Sequence, residues 1–549
     1  MRARDVRLAR REAADLSAGG GGGDGGDGGV ANLGLRVTMA GHELTWLTMA
    51  PLLGAAVVAC LPRSQEARAR PIGLSAAGIA LAWALGLALR FQDLPGYQFV
   101  ERLSWIPYLG VEYHLGVDGL GLAMALLTGF VMLLALMVSR TGLERPRLYY
   151  ALFLLLEAGL MGTFTALNFF HWFLCWELSL IPAFFLIRLW GGPMRGSVST
   201  GFFLYTLAGS VAMLLAFQVL FLATGTFDLP GLARLSQEGG VTARLSEYFG
   251  WPEGVSRRVL GWVGAGVFLG LAVKVPLMPL HGWLPGAYAE APTAVTMVLT
   301  GVMSKMGLYG FLRIMGPIFA DAMRGAWGML MVLAVVTVVG SAAAAWAQKD
   351  LKRLLAYSSI NHLGYCLLGI FAALQCGSES ARQAALGGVI LQMFNHGINA
   401  ATLFGLVALV ERRSGGLRDL DDFGGLRKAA PVFCGVMGMA VFASLGLPGL
   451  NGFPGEFLIF TGVFAAAPWA AVASVLGLLL TAVFLLGLMQ RMFHGPLPGR
   501  WSGWTDLSPR EWAMMIPSLG LMLVLGVYPQ ALLGIVNAAV VELAAVWAP

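Results

Sequence analysis

Residues 271–292 read LAVKVPLMPLHGWLPGAYAEAP. The segment opens as a membrane helix and then departs from one in three ways. It carries a cation, Lys274. It places Pro276, Pro279, Pro285 and Pro292 where the helix would continue, and each proline removes a backbone donor and crowds the preceding turn. It sets His281 inside the break. Lipid tolerates neither a freed carbonyl nor an ammonium. The stretch therefore belongs where protein or water surrounds it.

The rest of the chain makes lipid the relevant solvent. Its 549 residues are 57% hydrophobic and 12% charged, half the charge of an average soluble domain, about 25%. Apolar runs of about 20 residues recur, enough to cross the hydrocarbon core as helices. The runs are continuous rather than alternating, which excludes a barrel. The fold class is an all-α polytopic membrane protein. A net charge of +6 is assigned to membrane topology rather than to nucleic acid, because arginines gather in short loops. Cys60, Cys175, Cys366, Cys376 and Cys434 show no paired spacing, so iron–sulfur, zinc and haem attachment find no support. No nucleotide or redox-cofactor motif is present, and no cofactor or metal is expected in this chain.

Residues 1–38 are charged and then glycine-rich and cannot bury a core. They read as a disordered extension, with Met39 as an alternative first residue. Fourteen spans follow, at about 43–62, 72–91, 115–139, 148–167, 169–189, 199–224, 259–281, 292–315, 327–347, 354–374, 384–411, 430–464, 468–493 and 512–530. The span at 430–464 contains SLGLPGLNGFPGEF and reads as helix, break, helix. Loops after odd-numbered spans hold most of the basic residues, among them Arg140, Arg195, Lys349, Arg412 and Arg427. The positive-inside rule then puts those loops in the cytoplasm and both termini outside. LHGWLPG at 280–286 resembles LNGFPG at 450–455, five spans away. Paired broken helices at corresponding places point to inverted repeats around a midplane site.

Only five lysines occur, and Lys274 and Lys305 fall inside apolar segments. Glu177 lies within FLCWELSLIPAFF and Glu456 within the break of span twelve. A charge at mid-bilayer costs about 2.5–3.5 kcal/mol on insertion scales. Static ion pairs would explain any one of these residues. A proton relay explains the set, because lysine releases a proton where arginine stays charged, and the set lies beside helix breaks that admit water. His281, His362 and His396 sit in or near spans and are candidate relay groups, against the alternative of packing. Glu157 is a further buried acid. His171 reads as interfacial and Asp118 as a helix N-cap.

FLCWELSLIPAFFLI at 173–187, residues 274–314, DLKRLLAYSSINHLGY at 350–365 and ASLGLPGLNGFPGEFLIF at 443–460 together resemble the antiporter-like membrane subunits of NADH:quinone oxidoreductase (respiratory complex I), most closely the chain M or mitochondrial subunit 4 branch. The likeness covers about residues 40–530. It implies fourteen helices with two inverted five-helix repeats, spans 4–8 and 9–13, broken at spans 7 and 12. The corresponding partition is 1–38 extension, 39–142 helices 1–3, 143–316 first repeat, 317–495 second repeat, and 496–549 helix 14 with its tail. It implies that Glu177 pairs with Lys274, that Lys305 is central, that Glu456 closes the second half-channel, and that His281, His362 and His396 lie along the polar axis. Sister subunits carry lysine where this chain has Glu456.

The implied function is proton translocation driven by redox chemistry in other subunits, with this chain a non-redox subunit of the enzyme. The implied partners are the other membrane subunits, including sister antiporter-like subunits, and the bilayer of a bacterial inner membrane. Contact with nucleic acid or quinone is not expected. A multi-subunit Na+/H+ antiporter, a proton-pumping membrane hydrogenase complex and a purely structural scaffold stay open as alternatives.

Overall fold

The computed structural model describes residues 41–548; the extension expected at 1–38 and the alternative start at Met39 lie outside them. Helices α1 (Glu43–Ala59) and α2 (Ala69–Arg90) lead into an antiparallel hairpin of β1 (Gln98–Ile106) and β2 (Val111–Val117). Then come α3 (Gly119–Val138), α4 (Pro146–Thr165), α5 (Phe169–Trp190), α6 (Arg195–Thr224), and the short α7 (Leu229–Gln237) and α8 (Gly240–Phe249). After α9 (Glu253–Lys274) the chain breaks and resumes in α10 (Leu284–Glu290). The long α11 (Thr293–Gly325) and α12 (Trp327–Trp346) follow. Next are α13 (Leu351–Ala373) and α14 (Glu379–Ser414), then the two halves of a second broken span, α15 (Pro431–Ser444) and α16 (Gly452–Ala466). The chain closes with α17 (Pro468–Phe493), α18 (Pro509–Val527) and α19 (Gln530–Val546).

Twelve helices among the described residues are long and apolar enough to cross a membrane. Shorter apolar helices, α1 and the pair α15/α16, occupy the other two expected spans. The structure corrects several boundaries. Residues 115–117, expected in span three, belong to β2, and the helix starts at Gly119 behind its cap Asp118. Span seven stops at Lys274 rather than 281, and span eight continues to Gly325 rather than 315. The hairpin, α7, α8 and α19 are additions.

Local signals explain most starts and stops. Asp118, Asn168, Asp228, Asp350 and Ser378 accept hydrogen bonds from first-turn N–H groups of the helices they precede, groups that have no partner within the helix. The first turn of α1 is capped from a distance. His42 provides no side-chain cap, but buried Glu101 of β1 accepts Leu44 N at 2.6 Å and Thr45 N at 3.1 Å. This ties down a hairpin that would be marginal alone. Leu167 N adds a bond to His114 O of β2 at 2.9 Å.

The same backbone clasp occurs twice. At the start of α5, Phe169 N donates to Phe227 O at 2.8 Å, and Leu229 N donates to Leu167 O at 2.9 Å. At the start of α13, Leu351 N donates to Arg418 O, and Leu420 N to Lys349 O, each at 2.9 Å. Each clasp joins a helix start to the segment that follows the next helix, with Asn168 opposite Asp228 and Asp350 opposite Asp419.

The most apolar windows of α11 and α14 are 100% buried and that of α13 94%. These three helices form the centre of the bundle, shielded from lipid, and they hold Lys305, Asn361, His362, Gln392, Asn395, His396 and Asn399. The polar groups of these three helices are thus placed where hydrocarbon does not reach them.

Candidate functional site

The site begins with an irregular turn. Residues Leu299–Met303 of α11 are wound as a π-helix, and Ser304 N reaches back five residues to Leu299 O at 3.1 Å. A wider turn leaves a carbonyl outside the ladder. Within this turn Thr300 O receives Ser304 Oγ at 2.9 Å and Lys305 Nζ at 2.5 Å. Lys305 also meets Ser304 Oγ at 3.4 Å and His396 Nδ1 at 2.7 Å. All three ammonium donors are therefore used, which offsets the several kcal/mol of burying the charge. The approach of α11 to α14 depends on glycine. A Cβ on Gly397 would stand 2.8 Å from Gly301 O, and one on Gly301 3.3 Å from Gly397 O.

From His396 the path passes to a second imidazole. The His396 and His362 rings stack at 5.1 Å between centres and 19° between planes. His362 Nδ1 lies 2.7 Å from Ser358 O and Nε2 2.8 Å from Ser444 O. Ser444 is the last residue of α15, so the break supplies this carbonyl. A neutral imidazole has one N–H and satisfies one of the two carbonyls; the imidazolium satisfies both. A cavity of about 10 Å³, lined by Ser358, Ser359, His362, His396 and Ser444 among others, is near the minimum volume for one water.

His362 Nε2 lies 3.7 Å from Glu456 Oε1, and Gln392 Nε2 donates to the same oxygen at 3.2 Å. Glu456 is 6% exposed. Lys305, His396, His362 and Glu456 thus run from α11 through α14 and α13 to α16 in one buried chain. Gly446, in the second break, has φ +76°, and a Cβ there would stand 2.5 Å from Glu456 Oε2. Gly446→Ala should strain the backbone by about 1–2 kcal/mol and turn the carboxylate away from His362. Proteoliposomes of the assembled complex should then pump protons several-fold more slowly with normal subunit content.

The first half is less connected. Lys274 is the last residue of α9, 2% exposed. Its Nζ lies 5.0 Å from the centre of the Trp176 ring and has no hydrogen-bond partner among the described residues. Cation–π contact with a desolvated indole contributes about 2 kcal/mol. Glu177 is half-buried on α5. The Glu177–Lys274 pair implied by the resemblance is not a direct ion pair: no contact within 4.0 Å joins the two side chains. Gly307 of α11 packs on Leu271 and Val275, which brings α9 against α11. No direct hydrogen bond joins Lys274 to Lys305.

His281 sits half-buried in the break, its ring 6.3 Å from that of Tyr357, and no hydrogen bond or ion pair among the described residues joins it to the Lys305 chain. Glu157 is fully buried on α4, with neither carboxylate oxygen hydrogen-bonded among the described residues. His171 lies in the first turn of α5, buried and stacked on Tyr113 at 4.8 Å. Asp118 caps α3 as expected and also pairs with Arg313 at 2.6 Å.

Three contributors escaped the sequence reading. Gln392 was legible only as part of a polar stripe, 392, 395, 396 and 399, at helical spacing. Lys352 is 1% exposed and donates to Ala291 O at 2.6 Å. Arg418 donates to Ala289 O at 2.5 Å. Together these two cations hold the carbonyl end of α10, where the helix dipole favours positive charge.

Comparison with known proteins identifies the family. The family model described as NADH:quinone oxidoreductase/Mrp antiporter, TM matches residues 166–481. NADH-quinone oxidoreductase subunit M of Rhodobacter capsulatus is 35% identical over 519 residues, covering 91% of this chain and 96% of the relative. A chain in respiratory complex I from Thermus thermophilus is 28% identical, with a TM-score of 0.80, covering 92% of this chain and all of that one. A chain of the Mrp complex from Dietzia sp. shares the fold, with a TM-score of 0.77 at 21% identity. The chain belongs to the NADH:quinone oxidoreductase/Mrp antiporter family of multi-pass membrane subunits.

Proposed function

We propose that this chain is a proton-translocating membrane subunit of an NADH:quinone oxidoreductase, moving protons through buried side chains and water while the redox chemistry takes place in other subunits. The observation that carries this reading is the contact chain Lys305–His396–His362–Glu456, each member buried and each able to gain or lose a proton. The 35% identity to a subunit M supports the NADH:quinone oxidoreductase assignment over the Mrp antiporter, whose 21% identity supports the fold alone.

In this reading a signal from a neighbouring membrane subunit acts on Glu177, which changes the field at Lys274. The proton on Lys274 is then shared with Lys305 through water, and Lys305 passes it by His396 and His362 to Glu456. The paired clasps at Asn168/Asp228 and Asp350/Asp419 support two inverted repeats, 143–316 and 317–495, between 39–142 and 496–549. The basic odd-numbered loops support a cytoplasmic position for that end and a periplasmic one for both termini, in a bacterial inner membrane. Sister antiporter-like subunits are the expected neighbours, and quinone binds elsewhere in the complex.

Glu177→Gln and Lys274→Met in the assembled complex test the coupling half of the scheme. Each should lower NADH-driven proton pumping and coupled quinone reduction severalfold, while NADH oxidation by an artificial acceptor stays unchanged. Full pumping in both variants, with normal assembly, contradicts the scheme.

A further inference from the structure

Away from the relay, two segments bring three ligand-type side chains together. Glu112 and His114 are two residues apart on β2 and so share one face of the strand. Asp228 lies in the link between α6 and α7. One ligand atom from each falls within 4.8 Å of the others. We propose that Glu112, His114 and Asp228 form a binding site for a divalent transition metal of the zinc class, at the end of the bundle that carries the hairpin.

The site is built rather than incidental. The side chains of His114 and Asp228 are 8% and 9% exposed, so their positions are set by packing. Asp228 Oδ2 is held by Gly231 N at 2.9 Å, and Asp228 N by Thr226 Oγ1 at 3.0 Å. This leaves Oδ1 directed at His114 Nδ1, 2.7 Å away. The backbone on the other side is pinned through His114 O and Leu167 N.

Tetrahedral zinc with bonds near 2.0–2.1 Å sets its ligand atoms about 3.3 Å apart. The His114–Asp228 separation needs to open by well under 1 Å, within reach of small side-chain rotations. Glu112 completes the set by leaving Arg102, which holds its Oε2 at 3.0 and 2.6 Å. Arg102 is half exposed and free to swing into solvent.

The donor set indicates the metal class. One imidazole with two carboxylates suits zinc and its neighbours, whereas calcium and magnesium take oxygen ligands alone. Two carboxylates against one guanidinium leave the cluster anionic when the imidazole is neutral. Three protein ligands also leave room for water in the fourth position. Bound there, the metal would cross-link β2 to the α6–α7 link and hold the hairpin against the first half of the bundle.

Zinc binding to the purified, assembled complex tests the site, read as zinc per complex after dialysis at graded free zinc. His114→Gln preserves a hydrogen bond to Asp228 but is a poor ligand, and it should lose one equivalent of zinc. Arg102→Ala frees Glu112 without touching the buried ligands, and it should tighten the binding severalfold. Zinc should also slow proteolysis within the hairpin of the wild-type complex and leave that of His114→Gln unchanged. The same zinc content and affinity in the wild type, His114→Gln and Arg102→Ala would overturn the proposal and leave a structural ion-pair cluster only.

Discussion

Lys305→Met in the assembled complex is expected to abolish most proton pumping, with a fall in coupled turnover of about tenfold or more. Methionine is unbranched and close to lysine in volume but neither donates nor carries a proton. The variant leaves His396 Nδ1 without its donor, while Thr300 O keeps the Ser304 hydroxyl. Leaving one buried acceptor unpaired costs about 1–3 kcal/mol. That loss is spread over a core shared by α11, α13 and α14, so the subunit should still assemble. Native electrophoresis with an NADH-dehydrogenase stain checks assembly, and pH-indicator quenching in proteoliposomes checks pumping.

Glu456→Gln is expected to have an effect of similar size for a different reason. Glutamine fills the same space beside Gly446 and keeps a partner in Gln392. It removes the one carboxylate beside His362. A relay that ends in an amide has no terminal acceptor, so pumping should fall by about tenfold or more with unchanged assembly. The two variants together should do little more damage than either alone, because both block one path. Independent effects that multiply would place the residues on separate paths.

Particular residues show how much of this was legible in the sequence. The helix breaks were written in Pro276, Pro279 and Gly446–Asn451, and the structure breaks the chain at both places. Lys305 and Glu456 announced themselves as charges within apolar runs. Contacts were another matter. Trp176 and Glu177 are adjacent on α5, about 100° apart around the helix axis, and the sequence does not say which of them faces Lys274. The structure gives that position to the indole. The π-turn that carries Thr300 O has no composition signal, since it is an added residue in the winding rather than a residue type.

The missed elements share a cause. Runs of about 20 apolar residues pick out membrane helices and pass over everything shorter. The hairpin at 98–117 alternates apolar and polar residues around Pro107 and Gly110. The short helices α7 and α8 carry polar residues on one side, and α19 is interrupted by Asn537 and Glu542. Burial of Lys352 was invisible for a related reason. It sits one residue inside α13 and looks like a loop cation until α10 is seen to end against it.

In the proposed relay Lys305 gives up and regains a proton, rather than only holding helices together by its charge. Lys305→Arg separates these two roles, because arginine keeps the cation and its donors but does not deprotonate in proteins. The measurement is the initial rate of NADH-driven proton uptake in proteoliposomes carrying the fully assembled Lys305→Arg complex. A relay lysine requires a loss close to that of Lys305→Met; pumping at the wild-type rate would leave Lys305 a structural charge and rule the relay out.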